Sequence, residues 1–157
     1  MMSLIDIQNA TEHPAAYTEE ELIALASRVL EERQRTGELT IRLVCPEEMI
    51  HLNHTYRKIN KTTNVLAFPS DLPAHIALDS PFLGDVIICP EVLLEESVQL
   101  KKTLKEHWAL IVIHGVLHLL GYDHIEEEDA AVMQGLEIHL LAELGYSNPY
   151  AEEYYFE

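Results

Sequence analysis

The chain has few basic residues. It contains 10 Lys and Arg against 27 Asp and Glu among 157 residues, which gives a formal net charge of −17. So acidic a chain repels the phosphate backbone of nucleic acids at long range, and charge alone therefore argues against general nucleic-acid binding. Six of the ten basic residues nonetheless fall into two short groups, which leaves a local positive face possible: Arg57, Lys58, Lys61, and Lys101, Lys102, Lys105.

Cysteines and long apolar runs are also scarce. Cys45 and Cys89 are the only cysteines, and neither lies in a C-x-x-C motif. We expect free thiols in apolar strand-like segments, as in a reducing cytosol, rather than a disulfide. The longest apolar run, Trp108–Ile113, ends at His114 and is far shorter than the ~20 residues that cross a bilayer. The N-terminus lacks the basic and apolar regions of a signal peptide. These absences predict a cytoplasmic protein with no membrane partner.

The segment HGVLHLLGYDH, His114–His124, is the most informative part of the sequence. His114 and His118 are four residues apart and share one face of a helix. Gly121 lets the chain leave that helix, and the turn after it can bring His124 to the same point. Three imidazoles that converge in this way predict a site for one Zn²⁺ ion or a similar metal, with a fourth position open for water.

Two other interpretations of these histidines compete with a catalytic metal. Chance clustering is disfavoured because two unpaired imidazoles within the apolar run would carry a desolvation penalty that a metal removes. A purely structural metal is the second alternative.

The spacing H-x-x-x-H-x-x-G-x-x-H is that of the metzincin proteases, whose general base is a Glu directly after the first His. This chain has Gly115 at that position, so the protease mechanism lacks its base. Zinc still lowers the pKa of bound water to about 7 and can polarise a phosphoryl oxygen. Phosphodiester hydrolysis is therefore favoured, with a metzincin-like metal hydrolase as the alternative.

Three motifs together resemble the YbeY family of bacterial metal-dependent endoribonucleases. The first is HGVLHLLGYDH, the second is NHTYRKINKTTNVLAFP at Asn53–Pro69, and the third is LGDV at Leu83–Val86. The family has N-x-x-Y-R, T-D-V-L-S-F-P and L-G-D-I at the second and third motifs. Two residues depart from that pattern, since Asn64 replaces the usual Asp and Ala67 the usual Ser.

The resemblance covers nearly the whole chain and implies a single metal-dependent endoribonuclease domain at residues 1–157. It implies zinc-dependent cleavage of single-stranded ribosomal RNA in small-subunit rRNA 3′-end processing and ribosome quality control. The implied partners are this RNA and the ribosome or its proteins, not DNA. The alternative is a non-enzymatic ribosome-assembly factor in which the zinc is structural. His114, His118 and His124 would bind the metal, and His114 and Arg57 are the expected catalytic residues, Arg57 holding a phosphate. The nucleophile, hydroxide on the metal or the RNA 2′-hydroxyl, stays open.

Periodicity and capping signals predict the order β-α-β-α-β-loop-β-α-α-α, an α+β domain with about four strands in one mixed sheet, surrounding helices and a metal-bearing helix. Capping boxes are expected at Thr18 and Thr103. Asp85 could orient a ligand histidine or be an ordinary carboxylate. We expect Met133 to lie in the core beneath the site, and His139 not to be a ligand.

Overall fold

This computed structural model describes residues 4–70 and 81–150, and it confirms the predicted order of elements within them. The predicted loop at 70–81 and the acidic tail lie largely outside the described residues. The strands and helices are β1 (Leu4–Asn9), α1 (Glu19–Glu32), β2 (Glu38–Leu43), α2 (Pro46–Arg57), β3 (Val65–Pro69), β4 (Phe82–Ile88), α3 (Pro90–Leu100), α4 (Leu104–Leu119) and α5 (Glu127–Glu143).

The four strands form one mixed sheet in the order β1-β2-β4-β3. β1 pairs with β2, and β2 with β4, in parallel. β3 runs antiparallel to β4 and forms one edge of the sheet. The α+β fold with a four-stranded mixed sheet is thus confirmed, and β4 lies in its interior between β2 and β3.

Both predicted capping boxes are present. The Thr103 side chain accepts a hydrogen bond of 3.2 Å from the Glu106 backbone N–H, and Glu106 accepts one of 2.8 Å from the Thr103 N–H. Thr18 and Glu21 form the same pair at the start of α1. Each box satisfies two N–H groups that a helix start would otherwise leave unpaired. The first turn of α4, which precedes His114 and His118 in the sequence, is therefore held in place.

α4 is the most deeply buried helix and packs against one face of the sheet. Its two predicted ligand histidines lie in its C-terminal half. The buried residues of the helix are His107, Trp108, Ala109, Ile111, Val112, Ile113, Gly115, Val116, Leu117 and Leu119. Such a helix cannot shift without disturbing a close-packed core, and this rigidity positions the histidines.

The opposite face of the sheet carries a smaller core with α2. Val44, Met49, Leu66, Ile87 and Cys89 form its buried cluster. Both cysteines are free, as predicted, although they lie at the N-terminal caps of α2 and α3 rather than within strands. No helix among the described residues combines the length and apolar character needed to cross a membrane.

Candidate metal centre

The three predicted ligand histidines converge at the C-terminal end of α4. One ring nitrogen from each of His114, His118 and His124 lies within 4.8 Å of the others. The ring centroids are separated by 4.6 Å for His114 and His118, 5.4 Å for His114 and His124, and 5.1 Å for His118 and His124. Nitrogen atoms this close can bind one ion at the zinc–nitrogen distance of about 2.0–2.1 Å after small side-chain adjustments.

The turn that returns His124 to this point is a Schellman motif. The Tyr122 N–H donates to the Leu117 carbonyl and the Gly121 N–H donates to the His118 carbonyl, both at 3.1 Å. Gly121 has a φ of +101°, a conformation that a residue with a Cβ rarely adopts. Arg33 at the end of α1 donates to the Tyr122 hydroxyl at 2.9 Å. Hydrogen bonds to the backbone and to the Tyr122 side chain therefore hold the turn in place.

A buried carboxylate on α5 contacts the first histidine. Glu137 Oε2 lies 2.7 Å from Nδ1 of His114, and the Tyr150 hydroxyl donates to Oε1 of the same carboxylate. Glu137 was not among the site residues predicted from the sequence. A signal was present, because Glu137 is four residues after Met133 and three before Leu140, within the apolar stripe of α5. An acidic residue at such a position needs a buried partner.

Burial keeps His118 neutral. Its pKa is lowered from 6.5 to about 4, first by desolvation and then by electrostatic interactions with His114, His124 and Arg57. Asp123 opposes the shift without cancelling it. At neutral pH the ring therefore keeps a lone pair on nitrogen, which is the form that binds a metal.

This donor set fits a borderline divalent metal. Imidazole nitrogen suits zinc, copper, iron and nickel better than it suits calcium or magnesium. The cluster that His114 forms with His118 and His124 includes no fourth His, Cys, Asp or Glu among the residues described. Three protein ligands with an open position are characteristic of catalytic zinc sites.

Arg57 is the last residue of α2, and its side chain is exposed. Its charge reaches the histidine cluster, since it contributes to the lowered pKa of His118. Lys58 follows in the left-handed conformation, with a φ of +63°, and ends the helix there. Among the groups that lower the pKa of His118, Arg57 makes the smallest contribution.

The remaining candidates fall in different places. Asp85 hydrogen-bonds to Thr40 of the neighbouring strand β2 and has no hydrogen bond to a histidine within residues 4–70 and 81–150. Met133 is buried and lines a cavity of about 350 Å³ together with His114 and His124. His139 pairs with Glu32 and Glu143 on the exposed surface of α1 and α5, away from the three histidines.

Comparison with known proteins decides the family. The sequence profile described as Endoribonuclease YbeY matches residues 6–145. This chain belongs to the YbeY family. Endoribonuclease YbeY of Legionella pneumophila strain Corby is 63% identical over 149 residues, which cover 95% of this chain and 94% of the relative. Endoribonuclease YbeY of Pseudomonas putida strain W619 is 48% identical over the same shares of each chain.

A solved structure resembles the fold of this YbeY family member. The solution structure of TM1509 from Thermotoga maritima aligns with a TM-score of 0.61 and covers 95% of this chain and 92% of that chain. The two sequences are 23% identical, so this likeness supports the fold alone.

Asn64, where this chain departs from the YbeY pattern, has a specific partner. Its amide lies 3.2 Å from both carboxylate oxygens of Glu96 on α3, and Glu96 also contacts Nε2 of the buried His107 at 2.8 Å. An amide can donate to this carboxylate, whereas an aspartate would repel it. In this chain Asn64 is therefore complementary to Glu96.

Proposed function

We propose that this chain is a zinc-dependent endoribonuclease that cleaves single-stranded ribosomal RNA during maturation of the small ribosomal subunit. The convergence of His114, His118 and His124, with nitrogen atoms within 4.8 Å of one another, carries the proposal. Family membership supports the reaction class, because the similar Legionella and Pseudomonas proteins are named endoribonucleases. The whole of residues 1–157 is proposed to act as one catalytic domain.

The three histidines would hold the ion. His114 is also proposed as a catalytic residue, because it binds the ion that activates the reacting groups. A bound divalent metal supplies Lewis-acid polarisation of a phosphoryl oxygen and increases the acidity of water. The low pKa of His118 keeps that imidazole available as a ligand at neutral pH. The exposed His124 and the adjoining cavity of about 350 Å³ leave room beside the cluster for a nucleotide.

Arg57 is proposed to bind the scissile phosphate or its neighbour. A guanidinium group donates two parallel hydrogen bonds to a phosphate and stabilises negative charge as it develops during the reaction. The exposed side chain has no carboxylate partner among the salt bridges of the described residues. It is therefore free to engage an anion close to the histidines.

The strongly negative charge of the chain limits which partners it can attract. With a net charge of −17, long-range attraction to RNA has to come from elsewhere. We propose that basic ribosomal proteins supply it and that the chain acts in the cytoplasm, where ribosomes are assembled. The two free cysteines are compatible with that reducing compartment.

The test combines metal analysis with a nuclease assay on wild type, His118→Ala and His51→Ala. His51 is an exposed histidine on α2 outside the cluster, so it controls for loss of an imidazole. We expect wild type and His51→Ala to bind about one zinc per chain and to cleave single-stranded but not double-stranded RNA. We expect His118→Ala to lose both properties while circular dichroism shows a folded protein.

Other outcomes would point elsewhere. Zinc-loaded wild type that leaves RNA intact, together with histidine variants that unfold, would replace the enzyme by an assembly factor with a structural metal. Cleavage of casein would favour a metal hydrolase of the protease type. The chemistry at the product ends identifies the nucleophile, because a 2′,3′-cyclic phosphate is formed only when the RNA 2′-hydroxyl attacks.

A further inference from the structure

Glu137 is a carboxylate without solvent contact, at 0% exposure, in the core beneath the histidine cluster. Burying a charge costs free energy unless hydrogen bonds compensate for the lost hydration. Both of its oxygens have partners, His114 on one side and Tyr150 on the other. Nothing in the packing of α5 requires an acidic residue there, since its neighbours in the buried stripe are Met133, Leu140 and Leu141.

The contact bears on which nitrogen of His114 carries a proton, because Glu137 Oε2 lies 2.7 Å from Nδ1. A carboxylate oxygen in its ionised form only accepts hydrogen bonds, so an Nδ1–H is the ring form that complements it. In that form Nε2 is the ring atom with the free lone pair. Of the three clustered imidazoles, His114 alone is hydrogen-bonded to a carboxylate among the residues that the structure describes.

We propose that Glu137 and Tyr150 are a positioning pair that holds His114 in the Nδ1–H form, with Nε2 directed toward the metal, and thereby raises the affinity of the site for zinc. This inference rests on the proposed metal site. Partners of this kind orient ligand histidines and make them better donors, and losing one typically lowers metal affinity by about 10- to 100-fold.

Tyr150 brings the C-terminal segment into the site. It follows the end of α5 and lines the same cavity as His114 and His124. By donating to Oε1 it leaves Oε2 available to the imidazole and fixes the plane of the carboxylate. Tyr146, four residues earlier, instead contacts the hydroxyl of Tyr17 at 3.0 Å on α1's side of the fold. The two tyrosines therefore provide a matched pair for experiment.

The test compares Glu137→Gln, Tyr150→Phe and Tyr146→Phe with wild type in the full chain. The zinc dissociation constant is measured by competition with a chromogenic chelator, and the visible spectrum is recorded with Co²⁺ in place of zinc. Glutamine keeps the size of the side chain and a carbonyl that accepts from Nδ1–H, so the fold is retained. We expect Glu137→Gln to weaken zinc binding by about 10- to 100-fold and to shift the cobalt bands.

For Tyr150→Phe we expect a smaller loss of affinity in the same direction, and for Tyr146→Phe none. In zinc-loaded wild type, nitrogen NMR of His114 should show the proton on Nδ1. The inference is overturned if Glu137→Gln and Tyr150→Phe bind zinc as wild type does, if Tyr146→Phe has an equal effect, or if the proton lies on Nε2. Wild type that binds no zinc would instead refute the proposed metal site itself, and intact RNA with normal zinc binding would refute only the nuclease activity.

Discussion

Gly115 of α4 lies so close to Val86 of β4 that a Cβ on the glycine would be 2.6 Å from Cγ1 of the valine. Real Cβ atoms essentially never approach another atom so closely, and Val86 is fully buried within the core. The metzincin general base would occupy this position. A glutamate there would point into the sheet rather than toward the histidines, so the absence of the base follows from how the helix packs.

We expect Gly115→Ala to lower the free energy of unfolding by about 1–3 kcal/mol, the usual cost of overpacking a core. Gly135→Ala is the control, since this glycine is exposed on α5 and an added Cβ meets nothing within 4 Å. It should stabilise the protein by about 0.5–1 kcal/mol because alanine favours the helix. Urea unfolding of the metal-free proteins measures both changes. Equal effects of the two substitutions would mean that α4 does not pack as closely as described.

Arg57→Ala should lower RNA cleavage by about 10²-fold without changing zinc content, because the guanidinium stabilises charge in the transition state and does not bind the metal. Arg57→Lys should recover part of the activity, since lysine keeps the charge but not the two parallel hydrogen bonds. Initial rates on a short labelled RNA and metal analysis measure the two effects.

Arg35→Ala is the matched control for Arg57. It removes the same charge from an exposed site, and Arg35 is not among the groups that shift the pKa of His118. Arg35→Ala should cleave RNA as wild type does. If both arginine variants lose activity equally, general electrostatic attraction explains the effect and Arg57 has no specific role.

Asp85 should make the stability depend on pH. Burial raises its pKa above the usual 3.8, and the hydrogen bond from Thr40 only partly offsets this. As the pH rises through these values the unfolded chain releases its proton first, so ionisation of Asp85 lowers the stability of the folded state. This loss of folded-state stability is absent below pH 3.8 and complete above the raised pKa of Asp85.

We therefore expect Asp85→Asn to be more stable than wild type at pH 7, with the difference vanishing as the pH falls below about 4. Denaturant unfolding across this range gives the comparison. Asp6→Asn removes an exposed carboxylate from β1 and controls for the loss of one negative charge from an acidic chain. A variant at position 85 that is less stable than wild type at pH 7 would contradict the prediction.

Asn64→Asp should destabilise the protein by about 1–3 kcal/mol, because it replaces a donor to Glu96 by a second carboxylate. Adding Glu96→Gln should restore most of the loss, since a glutamine amide donates to the introduced carboxylate while its carbonyl accepts from His107. The double-mutant cycle measures this coupling from the four unfolding free energies. Additive effects of the two substitutions would show that the contact contributes nothing.

The parts of the site that lie close in sequence were predictable. His114 and His118 share a helix face by spacing, and Gly121 supplies the conformation that returns His124, so eleven consecutive residues contain the geometry. The capping boxes and the order of strands and helices followed from equally local signals. Glu137 did not, because it contacts His114 across 23 residues and depends on how α5 packs on α4.

The two possibilities for Asp85 illustrate the same limit. Successive side chains of a strand point to opposite faces, so Asp85 must face away from α4 if Val86 packs on it. The sequence alone did not reveal which face of β4 the histidine helix covers. The contact of Gly115 with Val86 shows that Val86 faces α4. Asp85, the preceding residue, therefore lies on the opposite face of the sheet, beside Thr40 of β2.

The three histidines differ in how firmly the chain holds them. His114 and His118 belong to a helix that cannot move without breaking the core, whereas His124 is exposed at the end of a four-residue turn. Excursions of that turn are thus the least costly way to open the cluster. If the proposed metal binds there, we expect it to leave through release of His124, and the hydrogen bond from Arg33 to Tyr122 would slow that step.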